Sequence, residues 1–309
     1  MTVTAVPTAT ERPTTGGPST GRSIRNGVTP WLFLLVPLGL LLLFTVIPVV
    51  NMLRYSLTSW DGVSPDKTFV GFKNYVSVAT RPQLFQVFTV SLYYLAASVL
   101  QMALALYFAT VLSFKVRLRN VFKGILFFPY LINGVAIGFI FLYVFQPGGT
   151  LDRIVAPFSS GQQHLWLGDP SIVNWSLAGV SVWRFMGLNF VLFLGAIASI
   201  SPDLFEASEL DGASRWQQFR YIILPGITPI VSLSFILAIA GSLSVFEIPY
   251  IMTGGANGSK TFVIQTVDLA FKFDKVGLAS ACAVVLLVLV LVVTWIQRRV
   301  VPDERVDLS

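Results

Sequence analysis

From Ser280 to Ile296 the chain carries no charged side chain and few polar ones. Extended to residues 277–297, this run matches the roughly 20 predominantly apolar residues that a helix needs to cross a bilayer. Residues 30–53, 88–112, 121–145, 176–200 and 226–248 repeat the pattern. The stretch at 226–248 is the most interrupted, by Thr228, Pro229, Ser232, Ser234, Gly241, Ser242 and Ser244. Lipid offers a peptide group no hydrogen bonds, so such runs must fold as helices, which satisfy their own backbones. The expected class is all-α, a polytopic membrane protein with six transmembrane helices between residues 30 and 300. Composition agrees, with 54% hydrophobic and 12% charged residues against roughly 25% charged in soluble domains.

An even number of spans puts both ends on one side, and the placement of Lys and Arg says which. Arg12, Arg22 and Arg25 precede the first span, and Lys115, Arg117, Arg119 and Lys123 crowd the short segment between the second and third. Arg215 and Arg220 lie between the fourth and fifth, and Arg298, Arg299 and Arg305 follow the last. The opposite loops hold Arg54, Lys67, Lys73, Arg81, Arg153, Lys260, Lys272 and Lys275, spread over longer segments. The denser side is the expected cytoplasmic one, which puts both termini and residues 201–225 there. Residues 1–29, rich in Thr, Pro, Gly and Ser, hold no apolar run and read as a disordered, uncleaved cytoplasmic tail. Residues 301–309 read as a second short tail.

Several function classes drop out. Cys282 is the one cysteine and His164 the one histidine, so intrachain disulfides and Cys- or His-based metal sites are not expected. The net charge of +6 comes without a basic face interleaved with aromatics, so nucleic acid is not an expected partner. Gly258-Ser-Lys-Thr261 imitates the end of a phosphate-binding loop, but that loop needs a strand before it and a helix after it. Here it falls between two apolar spans. With no catalytic constellation either, the chain is not expected to be an enzyme or to hold a cofactor.

The polar stretch Glu206-Ala-Ser-Glu-Leu-Asp-Gly-Ala-Ser-Arg-Trp-Gln-Gln-Phe-Arg-Tyr-Ile-Ile-Leu-Pro225 separates the fourth and fifth spans. Ser201-Pro202-Asp203 has the makings of a helix start: a capping serine, a proline in the first turn, an acid at the positive dipole end. Asp211-Gly212 marks its stop. Ser214-Arg-Trp-Gln217 is a capping box opening a second helix, expected to end at Leu224-Pro225. Leu204, Ala207 and Leu210 are expected on one face, Glu206 and Glu209 on the other.

This stretch resembles the EAA loop of bacterial ABC importer permeases, with a Glu-Ala-small start, a glycine after three more residues, and an Ile-x-Leu-Pro end. Glu206, Ala207, Gly212, Ile222, Leu224 and Pro225 fit, and Ser208 replaces an alanine. The resemblance extends over residues 30–300 to carbohydrate permeases of the maltose-transporter type. Its further carriers are Val70-Gly-Phe-Lys-Asn-Tyr75, Phe127-Phe-Pro-Tyr-Leu-Ile-Asn133, Tyr143-Val-Phe-Gln-Pro-Gly-Gly149, Trp166-Leu-Gly-Asp-Pro170 and Ile251-Met-Thr-Gly-Gly-Ala-Asn-Gly258. In the last of these, Ala256 stands where the family commonly has proline.

The resemblance implies a type I ABC importer permease fold in a bacterial inner membrane. It implies a second homologous permease, a dimer of ATP-binding subunits that uses ATP and Mg, and an extracytoplasmic solute-binding protein. The substrate would be a mono- or oligosaccharide. Glu206, Ala207, Ser208, Asp211, Gly212, Phe219, Leu224 and Pro225 would couple the chain to the ATPase. Tyr130, Asn133, Gly134, Ser181, Arg184, Ser242 and Ser244 fall on segments matching the family's substrate site.

Physical reading adds Glu247, since polar groups inside a membrane are costly unless they face a cavity or a partner helix. Arg184 has three readings: it pairs with Glu247, lines the pathway, or snorkels to the outer face. The serines and Gly241 either line a pathway or let helices pack closely. Tyr93, Tyr94 and Gln101 either pack or line the pathway, packing being the favoured reading, and Pro129 and Pro249 are expected to break helices. The rival class is a stand-alone secondary transporter, which would need inverted repeats and a membrane-embedded acid. Glu247 is the one candidate acid, and no repeat is visible.

Overall fold

The computed structural model describes residues 33–114, 118–158 and 164–300. The chain divides into two compact units between Asn51 and Met52. In the first, the described residues belong to one apolar helix, α1 (Phe33–Ser56), in which Leu42–Val46 form a π turn. Side chains such as Phe33, Leu38 and Phe44 are exposed all round it, the pattern of a helix made for lipid rather than for a water-facing surface.

The second unit is built on α3 (Phe88–Ser113) and α7 (Val173–Ala198), which pack along most of their lengths. Ahead of α3 come α2 (Lys73–Thr80) and a single turn, Pro82–Phe85. Ala105 and Ala109 are fully buried among Phe190, Phe193 and Ile197. Small residues on one helix let the backbones approach, and dispersion then holds the pair, because lipid supplies no hydrophobic drive between helices. Helix α4 (Arg119–Leu131) lies on α7. At Gly187 an added Cβ would stand 2.9 Å from the Phe127 Cα, so this crossing needs the bare backbone.

The third expected span is two helices rather than one. Between α4 and α5 (Gly134–Val144) the axis turns by 97°. Pro129 sits in the last turn of α4, and the Asn133 side chain caps α5 by accepting from the Val135 amide. Helices α6 (Thr150–Val155), α8 (Pro202–Leu210) and α9 (Arg215–Gln218) follow in order around α7.

The fifth span is longer than expected. Helix α9 does not end at Leu224-Pro225. It passes through a π turn, Phe219–Ile223, into α10 (Leu224–Leu243). Pro225 falls in the first turn of α10, directly after the π turn, where the hydrogen-bond register is already shifted. The chain then opens at residues 244–246 before α11 (Glu247–Thr253), α12 (Phe262–Phe271) and α13 (Val276–Val300). Pro249 stands inside α11 and does not break it.

Five helices among the described residues are thus long and apolar enough to cross a membrane, or six if the bent α4–α5 pair counts as one. Among the described residues the fold is all-helical, apart from the isolated bridge between Thr58 and Phe69. The tails at 1–29 and 301–309 lie outside the described residues.

At the α7 N-terminal end, the buried Asp152 ties two loops together. It accepts from the Gly148 amide at 2.6 Å, the Trp166 indole at 2.7 Å and the His164 amide at 3.3 Å. The Gly148 bond above all, then those from Trp166 and His164, holds its carboxyl below the usual range, against desolvation. A depressed carboxylate contributes stability above its ordinary pKa of about 3.9 and loses it only as pH falls through the lowered value. Hydrogen-exchange protection of residues 146–155 and 164–170 should therefore stay flat from neutral pH down to that range. Asp152→Ala should abolish it at neutral pH.

Candidate functional site

Two regions carry polar chemistry. The first is residues 201–225. Ser201 accepts from the Asp203 amide at 3.3 Å and starts α8. At its end the Ala213 amide donates to the Ser208 carbonyl and the Gly212 amide to the Glu209 carbonyl, with Gly212 at φ +77°. This is a Schellman stop, and its left-handed residue is glycine because a Cβ there crowds the carbonyl. Ser214 and Gln217 then close the expected capping box.

One side of α8 is anchored. Ser208 accepts from the buried Gln218 amide at 3.0 Å, and Phe205 packs on the core that contains Ile223 and Ile227. Glu206, Ala207, Glu209, Leu210, Asp211 and Gly212 are exposed. The division of α8 thus sets Phe205 and Ser208 inward, and leaves Leu204, Ala207 and Leu210 as open as the two glutamates. Phe219 is half-buried, Leu224 likewise, and Pro225 exposed. Leu210 and Trp216 present 90% and 68% of their surface, an apolar display unusual on a water-facing turn.

The second region is a cavity of about 630 Å³ between α3, α7, α10 and α11. Its lining repeats at helical spacing: Tyr94, Ala97, Ser98 and Gln101 from α3; Ser181, Arg184, Phe185, Leu188, Asn189 and Leu192 from α7. From α10 come Ser234, Leu237, Ala238, Gly241 and Ser242. The break after α10 adds Ser244, Val245 and Phe246, and α11 adds Glu247 and Ile248. Side chains at i, i+3, i+4 and i+7 share one helix face, so three helices each turn one mixed face to the same space. Arg184 donates to Glu247 at 2.7 Å. Of the three sequence readings of Arg184, pairing and lining hold together, and snorkelling does not.

Five of the eight expected pathway residues line this cavity: Ser181, Arg184, Ser242, Ser244 and Glu247. Gly134 is buried behind it, and a Cβ there would overlap the Arg184–Glu247 pair. Tyr130 stands one layer back, its ring 6.3 Å from that of Phe185. Asn133 is exposed and spends its carbonyl on the α5 cap. Tyr94 and Gln101, expected to pack, line the cavity, while Tyr93 packs edge-on against Trp175 at 5.0 Å. The α3 spacing of Tyr94, Ser98 and Gln101 was the available signal. Gly258-Ser-Lys-Thr261 has no phosphate-loop geometry: Lys260 is bonded to Asp268 at 2.6 Å, and Thr261 caps α12. Among the described residues no three His, Cys, Asp or Glu side chains gather to hold a metal.

The chain belongs to the binding-protein-dependent transport system inner membrane component family, which matches residues 101–306, a range that takes in residues 201–225 and the cavity lining from Gln101 onward. It is 34% identical over 282 residues to the Bacillus subtilis protein named "Probable ABC transporter permease protein YurN", covering 89% of this chain and 96% of that one. It is 30% identical to the trehalose/maltose transport system permease protein MalF of Thermococcus litoralis, over 89% and 94% of the two chains. The fold is similar to a crystal structure of a bacterial ABC transporter involved in the import of the acidic polysaccharide alginate. There the TM-score is 0.75 at 22% identity, covering 90% of this chain and 98% of that one. The family sets aside the stand-alone secondary transporter and makes this chain an inner-membrane ABC transporter permease.

The tight seat of Gly134 gives a direct check. Gly134→Leu forces a side chain into the Arg184–Glu247 pair, and overpacking of this kind costs roughly 1–3 kcal/mol. Thermal unfolding of the purified variant in detergent should come at a lower temperature than wild type. Gly179→Leu, where an added Cβ meets nothing within 4 Å, should unfold as wild type does.

Proposed function

We propose that this chain is the permease subunit of an ATP-driven sugar importer. It forms half of a translocation pathway with a second homologous permease, and an extracytoplasmic solute-binding protein delivers a mono- or oligosaccharide to it. The cavity supports this: a saccharide needs hydrogen-bonding groups together with apolar and aromatic surface, and α3, α7 and α10 offer both. The names of the relatives point the same way. So does a second solved neighbour, an alginate ABC transporter in complex with an alginate pentasaccharide-bound periplasmic protein, with a TM-score of 0.75 at 20% identity.

ATP and Mg belong to a partner ATPase dimer in this reading, and residues 201–225 are its handle. The observation that carries it is the exposed α8 edge ending at Gly212. Ala207 and Gly212 leave room for close approach, Leu210 and Trp216 offer apolar surface, and Glu206, Glu209 and Asp211 supply charge. Ser208, bonded to Gln218, and Phe219, packed on the core, anchor this surface, and Leu224 and Pro225 begin α10 just behind it. Closure of the ATPase then moves the helices as rigid bodies, the ordinary form of such switching.

Gly212→Val places a β-branched residue at positive φ, a strain of about 1–2 kcal/mol, and pushes methyl groups into the docking edge. Membrane content should match wild type while ATP-dependent saccharide uptake by the assembled transporter is lost. Normal uptake in that variant would refute the coupling role. Uptake by the wild-type transporter should persist when the proton gradient is collapsed and stop when ATP is removed.

A further inference from the structure

Two charged side chains line the cavity among the described residues, and they are bonded to each other. Arg184 comes from α7, and Glu247 opens α11 beyond the break in the chain. The arginine side chain is 14% exposed and the glutamate 55%. The guanidinium is held from several sides. Its Cζ lies 4.9 Å from the Phe185 ring centre, Gly134 closes on the pair from behind, and its Nε is buried without a partner. The remaining polar lining is neutral. Tyr94 and Ser234, each 2% exposed, have hydroxyls with no partner, and Gln101 and Asn189 contribute amides.

We infer that Glu247 is the built-in counter-ion of this cavity, and that the pair makes it select uncharged polyhydroxylated ligands over acidic ones. The inference rests on the proposal that the cavity takes saccharides. The lining charges cancel, so the site offers an incoming anion no net attraction. A ligand carboxylate brought to Arg184 would set two anions on one cation, and the anion already there repels the second. Displacing Glu247 instead exchanges one ion pair for another and leaves a carboxylate to be rehydrated.

A neutral polyol meets neither obstacle. Its hydroxyls can donate to the exposed Glu247 carboxylate and Ser244 hydroxyl and to the half-buried Ser181 hydroxyl, all on the cavity wall. The solved neighbour associated with an acidic polysaccharide shares this fold at 22% identity. The fold itself is therefore open to a charged cargo, and in this cavity the lining charges are balanced.

The test is direct binding to the whole transporter, purified with its permease and ATPase partners but without the solute-binding protein, so that delivery does not filter the ligands. Equilibrium dialysis with labelled glucose, maltose, trehalose and glucuronate compares probes that differ in a carboxylate. The wild-type complex should bind a neutral probe and discriminate against glucuronate. Glu247→Gln leaves Arg184 without its counter-ion and should gain glucuronate affinity by about tenfold or more, the scale of one unbalanced charge contact. The double variant Arg184→Met/Glu247→Gln should not show that gain.

Glucuronate bound by the wild type as tightly as the neutral sugars would overturn the inference and leave the saccharide pathway standing. So would an intact Glu247→Gln complex with no gain. If that variant fails to assemble, the wild-type preference decides. Binding of no probe at all would overturn the saccharide pathway itself, and this inference with it.

Discussion

A peptide group in lipid must find its hydrogen bond within its own helix or within the protein. Among the described residues, two departures from helix are placed where that demand is met. The turn between α4 and α5 is capped by Asn133 and backed by the Arg184–Glu247 pair. The opening at residues 244–246 lines the cavity, with the Val245 carbonyl taken by the Thr261 hydroxyl at 2.8 Å. The two breaks, distant in sequence, thus meet at one ion pair. Irregular backbone is tolerated at membrane depth where it is buried in protein or faces a cavity, so the breaks and the polar space between them imply one another.

Around that point the bundle is held by shape. Ala105 and Ala109 draw α3 onto α7, and Gly187 admits the α4 backbone. At the far end, Gly277 lies so close to the Thr58 and Trp60 backbone that no Cβ fits, and its amide donates to the Trp60 carbonyl at 2.9 Å. These contacts bring α13 to the segment after α1 without any long side chain between them. Larger residues at such positions would separate the helices and leave voids that lipid-facing dispersion cannot replace.

Much of this was legible in the residues. Span positions followed from length and polarity, and the 201–218 turn from Ser201, Gly212 and the Ser214–Gln217 pair, because caps are short-range chemistry. What was not legible came from competition between local and tertiary terms. Pro225 signals a helix end, but a π turn absorbs it, and π turns have no sequence signature of this kind. Pro129 signals a kink, but a 97° bend needs the cap and the glycine after it as well. Tyr94 and Gln101 sit on a nearly uniformly apolar helix, where one sequence cannot say whether the polar face meets a neighbour or a space. Pairing with Glu247 was one of three readings of Arg184, but the two are 63 residues apart and no local rule chose among the three.

The π turn at Phe219–Ile223 has a mechanical consequence. It makes α9 and α10 one continuous helical run from Arg215 to Leu243, about 40 Å at 1.5 Å per residue, with Pro225 and Pro229 inside it and no loop between the two helices. In the coupling role proposed above, a movement at Trp216 would reach the wall that carries Ser234 and Ser242 without crossing a loop.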